Sequence, residues 1–555
     1  MFTKSSRKPL GLLAVAAALT LVATACAESD RDSGDGDQPF VFGAAGDITS
    51  LDPFLTNDGE TYRYSRQVFE TLLDHESGGS EIVGGLAETW DQSEDGTVWT
   101  FNLRDNVTFH DGDEFNAEVV CANFDRWNNL TGAYQSSNLS YYWQSIFGGF
   151  AEPDEDFSTG ESRYVSCDAE DELTAVIEIS EYSSIFPGGF SLAAFGIMSP
   201  TTLETMEGQE VTGDEGNLSL PDFAQNAGSL AGTGPFTVEE WNQDQAEVTL
   251  NRHEDYWGEA AGFETMILRG IPDETARRQA LEAGDIHGYD LVAPADVAPL
   301  EDAGFQVPTR DVFNVLYMAY QQESHDALGE MEVREALSHA VDRQRIVDTI
   351  LPEGGEVATQ FHPDTLDGWS EDVRTFDYDP DKARDMLADA GYEDGFDVEF
   401  CYPTEVTRPY MPAPKDIFDV ITEDLQEVGV NVEATPYEWS VYSGQVDSGN
   451  CPMYLLGWTG DYNDAYNFIG TWFSTHNDAW GMDEDELFDK MTEVSTNPDE
   501  EARVAGYQEL NEMVMDALPG LPISSSPPSI AFAPEVEPPN VSPLTQENFG
   551  EASWK

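Results

Sequence analysis

Apolar and polar residues alternate along the chain with two different periods, which predicts interleaved strands and helices. The run Val98–Leu103 alternates with period two and predicts a half-buried strand. The segment Asn116–Trp127 repeats its apolar residues with a helical period. Because strand-like and helix-like segments follow one another throughout, the sequence predicts an α/β protein.

Three further helices are predicted from their pattern and from the residues at their ends. The segment Asp273–Gly284 begins with a capping aspartate and ends in glycine. The segment Asp379–Gly391 has the same two signals and adds a proline in its first turn. The segment Val333–Val341 has helical periodicity. The body of the chain therefore contains regular elements with defined boundaries.

Composition and charge narrow the class of protein. The chain has 555 residues, 107 of them Asp or Glu against 25 Lys or Arg, and a formal net charge of −82. The length indicates more than one domain, and the 40% of hydrophobic residues exclude global disorder. Nucleic-acid partners are excluded, since their binding rests on Lys and Arg. We interpret the acidity as a hydrated, self-repelling surface rather than a store of cations.

The N-terminus predicts export. Three basic residues precede the apolar stretch Leu10–Ala23, which is too short to span a bilayer, so residues 1–25 are interpreted as a signal peptide. Small residues directly before Cys26 resemble a bacterial lipobox, in which the cysteine is lipidated; the alternative is an ordinary cleavage site followed by a chance cysteine. Residues 26–38 are acidic and rich in Gly and Ser, which predicts a flexible tether. The protein is therefore expected outside the cytoplasm, anchored by lipid to the outer face of the bacterial cell membrane.

Six segments, in the same order along the chain, resemble the family 5 extracellular solute-binding proteins, which are peptide-binding receptors of ABC importers. The longest one joins a GLAETWD stretch to a DGTVWTFNLRDNVTFHDGD stretch. Six such matches in register are far more specific than one short motif. The segments are Gly85–Asp113, Asn116–Val120, Gly232–Phe236, Asn251–Gly258, Val333–Arg343 and Gly457–Asp461.

The resemblance implies an α/β, two-lobed fold of the periplasmic-binding-protein type (type II, cluster C). Lobe one would comprise residues 39–308 plus 520–555, with an extra domain inserted at about 75–220, and lobe two residues 309–519. Two strands that cross between the lobes would form a hinge that closes around a ligand. The implied function is a monomeric receptor, not an enzyme, that needs no cofactor or metal. It would deliver a di- or oligopeptide to an ABC permease and ATPase complex.

A peptide ligand carries an ammonium and a carboxylate, and each needs a charged partner when the cleft closes. The resemblance assigns the ammonium to Asp461, which ends the GWTGD motif, and the carboxylate to Arg408 in the TRPYMP segment. Arginine suits this role because its planar fork binds carboxylate with two hydrogen bonds. Without these motifs, Arg408 would be interpreted as a surface residue and Asp461 as one solvated acid among many.

Further ligand contacts are implied around these two residues. Tyr410 would donate a hydroxyl hydrogen bond beside Arg408. Tyr462 belongs to an aromatic cluster that could line side-chain pockets, with core packing as the alternative. The segment Thr56–Tyr62 would approach the ligand from lobe one. The residues expected to supply backbone groups and an apolar wall are Trp458, Thr459 and Gly460.

Four cysteines remain after Cys26, and an oxidising compartment predicts that they form two disulfides. Four cysteines allow three connectivities. The pairs Cys121–Cys167 and Cys401–Cys451 are favoured, because each pair falls inside one predicted domain.

Two alternatives to a peptide receptor remain open. The first is a secreted lipoprotein hydrolase, although the sequence after the signal peptide has no HExxH, GxSxG or P-loop motif. Paired carboxylates carry no signal in so acidic a chain. The second is the same receptor fold with another cargo, such as glutathione, haem, a nickel chelate or an oligosaccharide.

Overall fold

The computed structural model describes residues 38–157, 159–213 and 217–555. The predicted signal peptide, the lipidation site Cys26 and the tether up to residue 37 lie outside these residues. Within the described part of the chain, none of the helices combines the length and the apolar character needed to cross a membrane.

The first of two large sheets is built from residues near both ends of the described chain. Its central strand, Phe40–Ala44, runs parallel to both of its neighbours and is entirely buried. A strand covered on both faces must be apolar along its whole length, which explains the sequence FVFGA. In spatial order the strands are Phe236–Asn242, Glu247–Arg252, Thr265–Gly270, Phe40–Ala44, Gly288–Asp290 and Ile530–Phe532.

The second large sheet has its own central strand and its own hydrophobic core. The strand Asn314–Tyr320 is buried at every position and pairs antiparallel with a neighbour on each side. One of these neighbours is Gly520–Ser525, which the sequence analysis places in lobe one. That placement is wrong, because this fully buried strand needs partners on both edges and finds them here. In spatial order the strands are Glu356–Val357, Gly520–Ser525, Asn314–Tyr320, Met453–Thr459, Phe396–Thr404 and Val430–Glu438.

A smaller antiparallel sheet lies within the segment predicted as the insert of lobe one. Its buried aromatic residues, among them Trp99 and Phe101, join the same hydrophobic core as the first large sheet. Its strands are Ala87–Gln92, Val98–Leu103, Thr174–Ile179 and Tyr164–Asp171. Short strand pairs complete the set: Leu73–His75 with Ile82–Gly84, Gly149–Phe150 with Gly160–Glu161, and Val536–Glu537 with Ser553–Trp554.

Helices cover the sheets. The strand Val98–Leu103 and the four helices that the sequence predicts from periodicity and end signals are confirmed. Asp273 caps its helix by accepting a hydrogen bond from the Ala276 amide, and Asp379 caps its helix by accepting one from the Lys382 amide. At the other ends of these helices, Gly284 and Gly391 take the left-handed conformation. The α-helices are Gly59–Val68, Ala117–Asn128, Ser137–Phe147, Phe186–Gly189, Pro200–Met206, Glu274–Ala283, Pro294–Asp302, Asp326–Gly329, Met331–Ala340, Arg343–Ile350, Pro380–Asp389, Pro414–Glu427, Trp439–Asp447, Thr471–Phe473, Asp485–Ser495 and Glu500–Ala517.

Two neighbouring chain segments connect the large sheets. Thr309 and Ser529 form an antiparallel bridge, and the Arg310 amide donates to the Pro528 carbonyl at 3.0 Å. Further along, the side chain of Asn314 donates to the Ser526 carbonyl at 2.7 Å and accepts from the Ser526 amide at 3.2 Å. The chain therefore crosses between the lobes twice, side by side.

Both disulfides join the cysteines that the sequence analysis favours. Cys121 pairs with Cys167, with 5.0 Å between their Cα atoms, and links a helix to a strand of the smaller sheet. Cys401 pairs with Cys451, with 5.8 Å between their Cα atoms, near the start of the strand that carries the GWTGD motif. Each bond thus closes a loop inside one lobe.

The net charge of −82 predicts a fold that is stabilised by salt. Ions screen repulsion between surface charges over about 10 Å at 0.1 M and about 3 Å at 1 M. We therefore expect the melting temperature, followed by circular dichroism, to rise steadily from low salt to molar potassium chloride. A melting temperature that is the same at both extremes would contradict this expectation.

Candidate ligand-binding site

The GWTGD motif lies where a strand of the second sheet ends. The strand Met453–Thr459 runs out at Thr459, and Gly460 then passes close to the side chains of Phe313 and Phe468. A Cβ atom at position 460 would lie 2.2 Å from a ring carbon of Phe313, so only glycine fits there. This close approach fixes the backbone that presents the next residue, Asp461.

Asp461 is half-buried, and neutral donors from both lobes hold its carboxylate. Tyr142 donates its hydroxyl to Oδ1 at 2.9 Å, and the Asn467 amide donates to Oδ2 at 3.2 Å. The Asp461 backbone amide donates back to Asn467 Oδ1 at 2.7 Å. Burial raises the pKa of Asp461, while these two donors and the nearby charge of Arg66 act in the opposite direction. No ion pair within 4.0 Å forms at Asp461 among the described residues, so the carboxylate can still accept from an ammonium group.

Arg408 is half-buried and lies on an aromatic ring. Its guanidinium carbon is 4.0 Å from the centre of the Trp439 ring, a cation–π contact that fixes the plane of the fork. Its Nε atom is buried and has no hydrogen-bond partner in the described structure. Backbone hydrogen bonds between Arg408 and Met411 close the turn that carries it. No carboxylate of the described residues lies within 4.0 Å of this cation, although the chain is rich in acids.

One turn of a lobe-one helix lies near both charges. Asp58, which caps the helix Gly59–Val68, is within electrostatic range of Arg408. Tyr62, one turn further on, is within range of Asp461 and packs edge-on against Tyr142 at 5.5 Å. Lobe one thus approaches both candidate residues through the segment that the sequence analysis singles out, Thr56–Tyr62.

The other candidates divide between the surface of the site and the interior. Trp458 is half-buried and donates from Nε1 to Asn467 Oδ1 at 3.2 Å, and the Thr459 hydroxyl has no partner in the described structure. Tyr410 is buried against Gly457, and burial raises its pKa to about 12 while Arg408 lowers it. Tyr462 is buried in the core of lobe one, where its ring fits against Gly188.

The insert of lobe one contacts lobe two directly. Besides the Tyr142–Asp461 hydrogen bond, the Ser184 amide donates to the Ser495 carbonyl at 2.9 Å. The hydroxyl groups of Ser184 and Tyr507 lie 3.0 Å apart. The two lobes therefore meet around the candidate site.

No group of three or more His, Cys, Asp or Glu residues in the described ranges is arranged to hold a metal ion.

Comparison with known proteins decides the family. A family model described as bacterial extracellular solute-binding proteins, family 5, middle region, matches residues 81–480. The chain belongs to this family.

The solute-binding protein is similar over its whole length to characterised relatives. It is 28% identical to the dipeptide-binding protein of Escherichia coli strain K12, and the match covers 99% of this chain and 98% of that one. It is also 28% identical to heme-binding protein A of Haemophilus influenzae, with 96% of each chain covered. A crystal structure of the dipeptide-binding protein from Pseudoalteromonas sp. SM9913 in complex with Met-Leu superposes with a TM-score of 0.79 at 23% identity, covering 93% of this chain and all of that one. The two-lobed α/β fold is thereby confirmed.

Several residues of the solute-binding protein's site are not predicted from the sequence. Tyr142 lies 319 positions from Asp461, and nothing in its helix marks it as part of a site. Asn467 follows Asp461 by six positions, so a turn that folds back on the motif could have suggested it. Trp439 is one of several aromatic residues around the GWTGD motif, and the sequence does not distinguish it from the others. Its contact with Arg408 is formed only by the tertiary fold.

Proposed function

We propose that the protein is the receptor of an ABC importer, which binds a di- or oligopeptide between its lobes and passes it unchanged to a membrane permease. The observation that carries the proposal is a pair of opposite charges that no close ion pair neutralises. Asp461 would take the ligand ammonium and Arg408 the ligand carboxylate. Each is half-buried and forms no ion pair within 4.0 Å in the described structure.

Both charges lie near one turn of a lobe-one helix. Asp58 is within electrostatic range of Arg408, and Tyr62 is within electrostatic range of Asp461. A receptor that holds both charges beside this turn would bind a ligand with an ammonium at one end and a carboxylate at the other. The relative from Escherichia coli that is named a dipeptide-binding protein supports this cargo.

Titration calorimetry with the dipeptide Ala-Leu tests the proposal. We expect one-to-one binding and recovery of intact peptide, and an affinity about 10- to 100-fold weaker for N-acetyl-Ala-Leu, which lacks the charged donor for Asp461. The variant Asp461→Asn should lose the distinction between the two peptides, whereas the exposed control Asp483→Asn should keep it.

Other outcomes would redirect the assignment. Equal affinity for the free and acetylated peptides would reject Asp461 as the ammonium site. Release of alanine and leucine would favour the hydrolase alternative. Failure to bind any peptide, together with tight binding of haem, would favour the cargo named for the Haemophilus influenzae relative.

The proposal also covers the location and organisation of the receptor. Cys26 would carry the lipid that holds a monomer at the outer face of the cell membrane, next to its ABC permease and ATPase complex. Residues 39–308 would form lobe one and residues from 309 lobe two. Because Gly520–Ser525 belongs to the second sheet, we place the return to lobe one after Ser525.

A further inference from the structure

Tyr462 lies on a loop of lobe two, but its ring packs in lobe one. It directly follows Asp461, on the loop that leaves the strand Met453–Thr459 of the second large sheet. Tyr462 is only 4% exposed and belongs to the hydrophobic core of lobe one, whereas Ala465 and Phe468 belong to the core of lobe two. The ring therefore crosses the boundary between the two lobes.

The insert of lobe one leaves room for this ring at a glycine. Gly188 lies in the helix Phe186–Gly189, and a Cβ atom at its position would lie 2.4 Å from Cγ of Tyr462. A side chain at position 188 and the Tyr462 ring therefore cannot occupy these places together. The backbone at Gly188 does not have the positive φ that favours glycine. The glycine is thus explained by the contact with the ring and not by the backbone conformation.

Polar and cation–π contacts between the lobes surround this ring. The Ser184 amide donates to the Ser495 carbonyl at 2.9 Å, and the hydroxyl groups of Ser184 and Tyr507 lie 3.0 Å apart. The Arg503 guanidinium lies over the Tyr182 ring, 5.8 Å from its centre. Each contact joins the insert of lobe one to lobe two, so separation of the lobes would break all of them.

We infer that the contact between Tyr462 and Gly188 stabilises the closed arrangement of the lobes and sets the affinity for every ligand without touching it. The inference rests on the proposed peptide-binding function. When the lobes separate, the Tyr462 ring leaves lobe one and its apolar surface enters water, so the hydrophobic effect favours closure. An ammonium bound to Asp461 would hold the same short loop in place. Tyr462 is thus a positioning residue, and packing accounts for it better than a place in the wall of a ligand pocket.

Loss of this contact should weaken the binding of all ligands by the same factor, because apparent affinity scales with the population of closed protein. In Gly188→Ala the added Cβ atom would exclude the ring. We expect titration calorimetry to show that Gly188→Ala binds Ala-Leu and N-acetyl-Ala-Leu each about tenfold more weakly than the wild type. Tyr462→Ala should have the same effect, and both variants should keep the ratio between the two peptides.

A double-mutant cycle tests whether the two residues act together. Once Tyr462→Ala has removed the ring, Gly188→Ala should cost no further affinity. The melting temperature of the free protein should stay close to that of the wild type in all three variants, since the contact forms only between closed lobes. The matched control is Gly228→Ala in lobe one. Gly228 is exposed, and an added Cβ atom there meets no residue of the described structure within 4 Å beyond its chain neighbours.

The outcomes separate this inference from the proposed function. Wild-type affinity in Gly188→Ala, or a further loss of affinity when it is added to Tyr462→Ala, would overturn the inference and leave peptide binding intact. A changed ratio between the free and acetylated peptides in Tyr462→Ala would make Tyr462 a ligand contact instead. A lower melting temperature with unchanged affinity would make the ring a permanent part of lobe one. If the wild type binds no peptide, the proposed function fails and this inference fails with it.

Discussion

Replacing Arg310 with alanine should lower the free energy of unfolding by about 3–5 kcal/mol, the usual cost of removing one partner from a buried ion pair. Arg310 is fully buried on the segment that crosses between the lobes. It donates to Glu547 at 2.6 Å and to Asp290 at 2.7 Å. Arg63 binds the same two carboxylates from the other side. Without Arg310, one arginine would have to balance two buried acids.

Acid titration gives a second measure of the same network. Burial raises the pKa of Asp290, but the charges of Arg310 and Arg63 more than offset this and hold it below its usual value. A carboxyl group with a depressed pKa stabilises the fold above its unfolded pKa, and that contribution is lost as the pH falls through the folded pKa. Arg310→Ala should therefore unfold at a higher pH than the wild type on acidification.

Urea denaturation followed by circular dichroism measures the loss, since urea does not screen charge. Arg384→Ala serves as the matched control, because its ion pairs lie at the surface and such pairs contribute about 0–1 kcal/mol. A loss below about 1 kcal/mol in Arg310→Ala would show that the network does not stabilise the crossing.

Local sequence signals predicted one strand and four helices correctly, because the physics that sets the ends of these elements is local. Asp273 and Gly284 mark their helix with residues that the helix itself requires. The predicted return of the chain to lobe one at residue 520 is one strand too early. The strand Gly520–Ser525 is apolar enough for either large sheet, and only its pairing with Asn314–Tyr320 shows that it belongs to the second one. Sequence pattern carries no information about that pairing.

The candidate site was predictable only where a motif marks it. Asp461 follows a turn that requires Gly460, and this requirement leaves a sequence signature. By contrast, Glu547 and Asp290 are two acids among 107, and nothing local distinguishes them from solvated side chains. Their burial depends on contacts such as that between Arg63 and Glu547, which are 484 positions apart. Contacts of this kind are set by the tertiary fold alone.

Replacing Arg408 with alanine should weaken binding of Ala-Leu by about 2–5 kcal/mol, or about 30-fold to several thousand-fold, because the ligand carboxylate would be desolvated without a partner. The fold should be unaffected, since Arg408 makes no ion pair in the described structure that the substitution could break. Titration calorimetry measures the affinity, and the melting temperature checks the fold.

Ala-Leu amide provides the matched control, because it lacks the carboxylate and keeps the ammonium. The wild type should bind the amide far more weakly than the free peptide, and Arg408→Ala should bind the two almost equally. Arg408→Lys should recover only part of the affinity, since lysine keeps the charge but loses both the fork and the stacking plane that the Trp439 ring supports. If the preference for the free carboxylate survives in Arg408→Ala, another group binds that end of the ligand. A pair of fixed opposite charges would then no longer account for how the receptor selects its cargo.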